Sequence, residues 1–423
     1  MFNPPFRRLD VRVLLSAILL FISREAPSQD KLGGAAVTLT NAIEFENLSF
    51  TQSPLFADQA KTMNSVALRP RLVFNWPAAA SGASVTATLA PLLRYDPNDT
   101  QRTHADVREA KIDVNVGKTG LTVGYDYVFW GKTESAQIVD IVNQVDMLET
   151  LVGTHKLGQP MVALRQIFDV AGKYPVSASA YYLPYFRERA YLGQRSRLRL
   201  NAEIDKEEAV FADGASRSTP GFAARLASTA GNVDIALSLF RGLSREPSFR
   251  PGAQAGKIVP VYGEVSQFGF EGQITGDATL WKLEAIRRHQ QLNALGDRQD
   301  YSAAVAGIEH TIYGFGGGNA DLGLIMEYAW DARQLTALTP LQNDVVVGAR
   351  VAMNNANDSA FLVTASVDVK TKETLYRLEY RSRLTDQLFL TVEAGAFSQS
   401  PPNSIIYDLR NDSYIRSALT FRW

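Results

Sequence analysis

The sequence predicts an all-β fold: one transmembrane antiparallel β-barrel of about eighteen strands, closed on itself, with sixteen strands as the alternative. Three observations predict it. Apolar residues recur at every second position in segment after segment, which is the period of a strand and not of a helix. No segment past the first thirty residues offers eighteen consecutive apolar residues, so no helix is expected to cross a bilayer. The connections between alternating segments are short on one side and long on the other, and the strand number is even, the usual pattern of a transmembrane barrel.

The chain opens with Arg7, Arg8 and Arg12, then an apolar run over 13–22, then the small residues Ala26 and Ser28. That order reads as a cleaved export signal over 1–28, leaving 29–423 as a single barrel domain. The arginine pair is compatible with the twin-arginine route. A chain that crosses a membrane as strands should travel unfolded, so the general secretory path is expected.

Strands are expected near 36–48, 65–75, 84–95, 104–116, 120–130, 161–169, 174–183, 219–229, 232–241, 260–272, 277–290, 299–312, 319–332, 342–354, 359–369, 373–384, 387–398 and 411–423. In the fifth, Leu121, Val123, Tyr125, Tyr127 and Phe129 share one parity and Thr122, Gly124 and Asp126 the other. In the sixteenth, Tyr376, Leu378 and Tyr380 oppose Arg377, Glu379, Arg381 and Arg383. Such strands are apolar outside and polar inside, the reverse of a soluble sandwich, and their aromatics gather near strand ends as interface girdles do. Closure leaves no unpaired edge, which lipid demands of a sheet that crosses it. The stretch 196–203 also alternates. It is assigned to an external loop, because counting it would break the even number.

The other classes of function lose support from composition. The chain has 423 residues, a net charge of −1 and no cysteine. A globally basic nucleic-acid binder is not indicated, and thiolate metal sites, disulfides, cysteine nucleophiles and amino-terminal lipid attachment are excluded. No phosphate-binding loop, dinucleotide fingerprint or zinc spacing occurs, so no cofactor is expected. His104, His155, His289 and His310 read as scattered polar residues. A barrel hydrolase would need a nucleophile and base together on the lipid face. No such set is evident around His289 or His310, and no enzyme is expected.

The last strand carries Ile415, Leu419, Phe421 and Trp423 on one parity and Arg416 and Arg422 on the other. It resembles the assembly signal of Gram-negative outer-membrane barrels, although Ser417 interrupts the pattern and Trp stands in the usual place of Phe. The resemblance implies that the barrel-insertion machinery engages this strand, and that the chain resides in the outer membrane among its lipids and lipopolysaccharide.

Eighteen strands leave an aqueous lumen where eight do not. The connection 131–160 is the expected constriction. Ile138, Ile141, Val142, Val145, Leu148 and Val152 recur at helical spacing, with Gln137, Asp140, Asn143 and Gln144 on the opposite arc, so a short amphipathic helix is predicted. It either folds into the lumen or caps the mouth. The same block, Trp130-Gly131 with Asp140-x-x-Asn143-x-x-Asp146, Lys156 and Pro160-Met161, resembles a large and mostly uncharacterised family of Gram-negative outer-membrane proteins. That resemblance implies a channel or transport role without a named substrate.

The expected pore-lining and constriction residues are Asp126, Trp130, Asp140, Asn143, Asp146, Arg377, Arg381, Arg383 and Arg416. For Asp140, Asn143 and Asp146 the alternative is that they pin the loop to the wall. Arginines concentrate on the sixteenth and eighteenth strands and, across the closure, on the second, and could guide anions, or pair with Glu379, Glu393, Glu44 and Glu46. The function expected is a porin-like channel for passive diffusion or uptake of small solutes. A sheath for an export or electron-transfer partner is the alternative, a homotrimer is compatible, and a plug domain has no room in 29–35.

Overall fold

The computed structural model describes residues 31–423 apart from 33, 78–81, 150–154 and 173. The expected signal over 1–28 lies outside the described residues. Eighteen strand positions form the wall. The first two are each broken: β1 comprises Ala35–Thr40 and Ala42–Phe50, and β2 comprises Thr62–Leu68 and Arg71–Trp76. Then come β3 Ala83–Tyr95, β4 His104–Val116, β5 Thr119–Asp126, β6 Gln159–Val170, β7 Tyr174–Leu183, β8 Gly221–Ala230 and β9 Val233–Leu243. The second half is β10 Glu264–Thr275, β11 Thr279–Leu292, β12 Arg298–Ile312, β13 Asp321–Asp331, β14 Asn343–Ala352, β15 Ala360–Asp368, β16 Thr374–Arg383, β17 Leu388–Ser398 and β18 Tyr414–Arg422. Each pairs antiparallel with the next, and β18 returns to β1 with Arg422 opposite Ala42 and Tyr414 opposite Phe50, so the sheet closes.

The breaks fall where the chain cannot continue the ladder. Pro70 has no N–H to donate, so β2 is interrupted between Leu68 and Arg71. Opposite it, Asn41 leaves the β1 ladder and exchanges backbone hydrogen bonds with the last residue: Asn41 N–H reaches Trp423 O at 2.9 Å and Trp423 N–H reaches Asn41 O at 3.1 Å. The aromatic end of the chain is therefore tied into the closing seam.

Parity sets the solvent on each face. Ile112, Val123, Leu164, Leu237, Leu239, Trp281, Met326 and Val363 all point outward and are exposed. An aqueous outer face would leave each uncompensated by roughly 1.5–3 kcal/mol, so the band fits hydrocarbon. Most charged residues of the wall occupy the inner parity, as Glu271, Glu284, Glu327, Arg377 and Glu379 do. In chain order, the connections 77–82, 117–118, 171–173, 231–232, 276–278, 313–320, 353–359 and 384–387 lie at one end. The longest, 127–158, 184–220 and 244–263, lie at the other.

Three expectations need correction. The fifth strand ends at Asp126 and not at 130, so Tyr127, Phe129 and Trp130 belong to the loop. The tenth begins at Glu264, because Lys257–Tyr262 leaves the barrel to join Glu203–Ile204, Val210–Phe211 and Ser248–Pro251 in a small sheet over the long-loop end. Within 196–203 only Glu203 pairs, and it does so in that small sheet.

The third correction is the helix. Among the described residues of 127–158 there is none. The N–H groups of 131–135 and Val139 go to carboxylates on the barrel wall, and those of Asp140, Asp146 and Leu148 go to Gln137 O, His155 O and Asp146 Oδ1, so none of these reaches a carbonyl four residues back. Val139 and Gln144, off the predicted stripe, are as buried as Ile141 and Val142 on it. A segment buried on both arcs gains nothing from a helix that segregates them. Val152 lies outside the described residues.

Candidate functional site

The inner wall of β10, β11 and β13 presents Glu271, Glu284 and Glu327, which receive the start of the 127–158 loop. Gly131 N–H donates to Glu271 Oε2 at 3.1 Å. Lys132 and Thr133 N–H donate to Glu284 Oε1 at 2.6 and 2.9 Å, the Thr133 hydroxyl does so at 2.7 Å, and Val139 N–H reaches Glu284 Oε2 at 3.3 Å. Glu134 and Ser135 N–H donate to the two oxygens of Glu327 at 2.8 and 2.7 Å. Glu271 also carries a two-pronged contact from Arg225. Glu284 has no cation partner among the described residues. Hydrogen bonds to its charged form take the place of one.

Gly131 is required by this geometry. Its φ is +113°, and an added Cβ would sit 2.7 Å from both Glu284 Oε1 and Gln137 Cγ.

The far end of the loop is held by cations. Arg108 on β4 contacts Asp146 at 2.7 Å, and Arg94 on β3 contacts Glu149 through two nitrogens at 2.5 and 2.8 Å. Arg69 adds a contact to Glu149 at 2.9 Å. These belong to a buried network in which Arg94 also meets Glu44, Arg102 meets Glu46 and Asp96, and Arg416 meets Glu46 at 2.6 Å and Glu393 at 3.1 Å. Glu149, a loop residue, is held well below the usual carboxylate range by Arg94, Arg69 and Arg108 against the opposing effect of its burial.

β4 and β13 stand half a ring apart, so the loop is anchored at both ends of the half of the wall that runs between them. Its middle packs there: Trp130, Val139, Ile141 and Val142 form one apolar cluster with Met161, Leu183, Phe240, Val265, Ile286 and Tyr301 from β6 to β12. Trp130 meets Tyr181 edge to face at 5.9 Å.

Most of the site residues expected from the sequence are placed by these contacts. Trp130 is buried in the apolar cluster. Asn143 is a pin: its Nδ2 donates to Asp126 O and Leu157 O at 2.9 and 3.0 Å, and its Oδ1 accepts Val128 N–H at 3.0 Å. Asp146 is fully buried against Arg108, and Asp140 forms an ion pair with Lys156. Burial pushes the Asp140 carboxyl up and the Lys156 ammonium down. Asp126 sits at the end of β5 against Lys111 at 2.8 Å.

The other half of the lumen, from β14 through β18 to β2, is lined by charge. Arg377 and Arg381 flank Glu379 at 2.7 and 3.0 Å, and Arg383 stands at the short-turn end. Arg416 is withdrawn into the network described above. At two pairs the cation projects and the carboxylate recedes: the Arg381 and Arg71 side chains are 68% and 46% exposed, against 15% and 8% for their partners Glu379 and Glu109.

Ile415, Leu419 and Phe421 face outward and are exposed, and Trp423 stacks on Phe421 at 5.5 Å. Glu149, Arg102 and Arg108 were not foreseen as members of the site. Their contacts join distant strands and leave no local pattern.

On the outer face His289 Nδ1 and Asp300 Oδ2 lie 2.8 Å apart, and Ser266 is the cross-strand neighbour of His289. No hydrogen bond joins Ser266 to His289 among the described residues.

No protein-family model and no curated protein matches the chain. Among solved structures it is similar to a BenF-like porin from Pseudomonas fluorescens Pf-5, with a TM-score of 0.54 at 10% identity over 93% of this chain and 99% of that one. A mutant of Rh. blastica porin aligns with a TM-score of 0.45 at 13% identity over 92% of this chain and all of that one. The former likeness is one of fold.

Proposed function

We propose that the protein is a porin-like channel of the bacterial outer membrane, reached by the general secretory path and inserted through its aromatic last strand, and that the 127–158 loop narrows its bore for small solutes. The observation that carries this reading is the clasp of the loop by Glu284: four donors from one loop converge on one carboxylate of the inner wall. A loop that merely capped the mouth would have no use for wall carboxylates at that level. The projecting Arg71 and Arg381, beside recessed glutamates, favour small anions over cations.

The test is single-channel conductance of the refolded chain in a planar bilayer, alone, with 134–149 deleted, and as Glu284→Ala. Larger open steps in both variants, with an anion-selective reversal potential in the parent, are the expected outcome. Unchanged steps would overturn the constriction. An inserted barrel that never conducts would point to a sheath whose lumen a partner fills.

A further inference from the structure

We infer that the outer face of β8–β11, at the long-loop end, holds a phosphate-bearing lipid of the outer leaflet. Arg241, Ser266, Arg287 and His289 face its phosphate, and the groove between Phe222 and Phe268 takes an acyl chain. The inference rests on the outer-membrane reading above, which sets the long-loop end outside.

Four outward residues form one row across four strands: Phe222 is opposite Arg241, Arg241 opposite Ser266, and Ser266 opposite His289. In the next row toward the short-turn end, Ala224, Leu239, Phe268 and Arg287 are opposite one another in turn. Small Ala224 and Ser266 between the larger neighbours leave a groove of about 410 Å³, lined by Phe222, Leu239, Phe268, Arg241 and His289 among others.

The charges on this face call for an anion. The Arg241 side chain is exposed and has no hydrogen bond or ion pair with any described residue. The Arg287 side chain makes one hydrogen bond, to the Ser302 hydroxyl at 3.3 Å, and lies near enough to Asp300 for the two charges to attract. Both stand on the same parity as Ile235, Leu237, Leu239 and Leu283, which are exposed to hydrocarbon. A guanidinium at that border is costly without a partner and reaches for the headgroup level.

Two carboxylates share the face. Asp300 is engaged on both oxygens, by His289 Nδ1 at 2.8 Å and by Gln290 N–H at 2.9 Å. Glu264 lies one pleat past Ser266 toward the loops, beyond the groove. A phosphate between Arg241 and His289 would meet two guanidinium groups, one hydroxyl and the ring nitrogen that Asp300 leaves open. A free phosphate ion would gain nothing from the aromatic groove below, and a lipid uses both.

The experiment is native mass spectrometry of the detergent-released barrel titrated with bis-phosphorylated lipid A, with its monophosphorylated form, and with inorganic phosphate as competitor. The expected result is retention that follows phosphate content, withstands inorganic phosphate, and falls about tenfold or more in Arg241→Ala/Arg287→Ala, the weight of at least one charge-assisted hydrogen bond. Equal retention by the double variant overturns the inference, as does displacement by inorganic phosphate alone. Conductance is recorded on the same variant. Both arginines face away from the bore, so unchanged conductance shows that the barrel is intact and separates failure here from failure of the channel reading.

Discussion

Arg197 and Asp412, both with fully buried side chains, meet at 2.6 Å and join the 184–220 loop to the 399–413 loop from the far side of the ring. Leu198 N–H donates to the other Asp412 oxygen at 2.7 Å, and Arg197 Nη2 donates to Asn411 O at 2.7 Å. Leu198 is held at φ +59°, a left-handed conformation that a leucine keeps only when its surroundings dictate it. Because β7–β8 and β17–β18 lie nearly opposite, the loop between the first pair must reach across the long-loop end.

Asp412→Asn should release that crossing. It leaves the Arg197 charge buried without its counterion, a local cost of about 3–5 kcal/mol. Limited proteolysis should then cut within 184–220 in the variant and spare the parent, while the barrel itself stays resistant. Equal cutting of the two would show that the pair does not hold the loop.

Arg381 is the most exposed of the paired lumen arginines, and replacing it should change selectivity without changing the fold. Arg381→Ala should lower the anion-to-cation permeability ratio roughly two- to fivefold, and Arg381→Glu should lower it further. Reversal potentials across a salt gradient read this directly. The effect should fade near 1 M salt, where the Debye length is only about 3 Å. A ratio that ignores both substitutions would place the selective contact elsewhere.

The barrel wall was legible in the sequence because side chains alternate with the pleat: all eighteen strand positions follow from parity, and Ile415, Leu419 and Phe421 face outward as the last strand implied. The loop was legible in location and not in form. Ile138, Ile141 and Val142 match a helical stripe, yet that spacing cannot report that Val139 and Gln144 are buried as well. Inward-facing Phe240, Ile286 and Tyr301 were a missed signal, since apolar residues on a polar parity require something to cover them. The Arg94–Glu149 and Arg197–Asp412 pairs join segments far apart in the chain, and no local period encodes such contacts.

Glu149 sets how the loop answers to acid. Its carboxyl is depressed in the folded protein by Arg94, Arg69 and Arg108. A depressed carboxylate stabilises the fold fully above its ordinary value near 4.5, and the contribution is lost only as pH falls through the lower folded value. Channel conductance should therefore stay level from neutral pH through the ordinary carboxylate range and rise only under stronger acid, as the anchor releases. In Glu149→Gln that acid-dependent rise should disappear, with conductance already raised at neutral pH. A step in the parent centred on the ordinary carboxylate value would contradict the anchoring role.

The Asp140–Lys156 pair poses the opposite case, because burial works against both charges. Lys156 Nζ also donates to Val128 O at 3.0 Å and lies 4.8 Å from the Phe129 ring centre, so the ammonium is held between a carbonyl and an aromatic face. Breaking such a pair from one side leaves a lone buried charge at about 3–5 kcal/mol, whereas replacing both partners with apolar groups of similar volume is near neutral or stabilising. Asp140→Leu or Lys156→Met alone should thus loosen the loop, and the two together should restore it. Trp130 packs in the cluster beside them, so urea titration of a chain retaining only this one of its five tryptophans reads the loop without the wall. Single variants should shift the midpoint down and the double variant should return it to the parental value. A double variant as loose as the sum of the singles would mean that the two side chains hold the loop through separate contacts and not through each other.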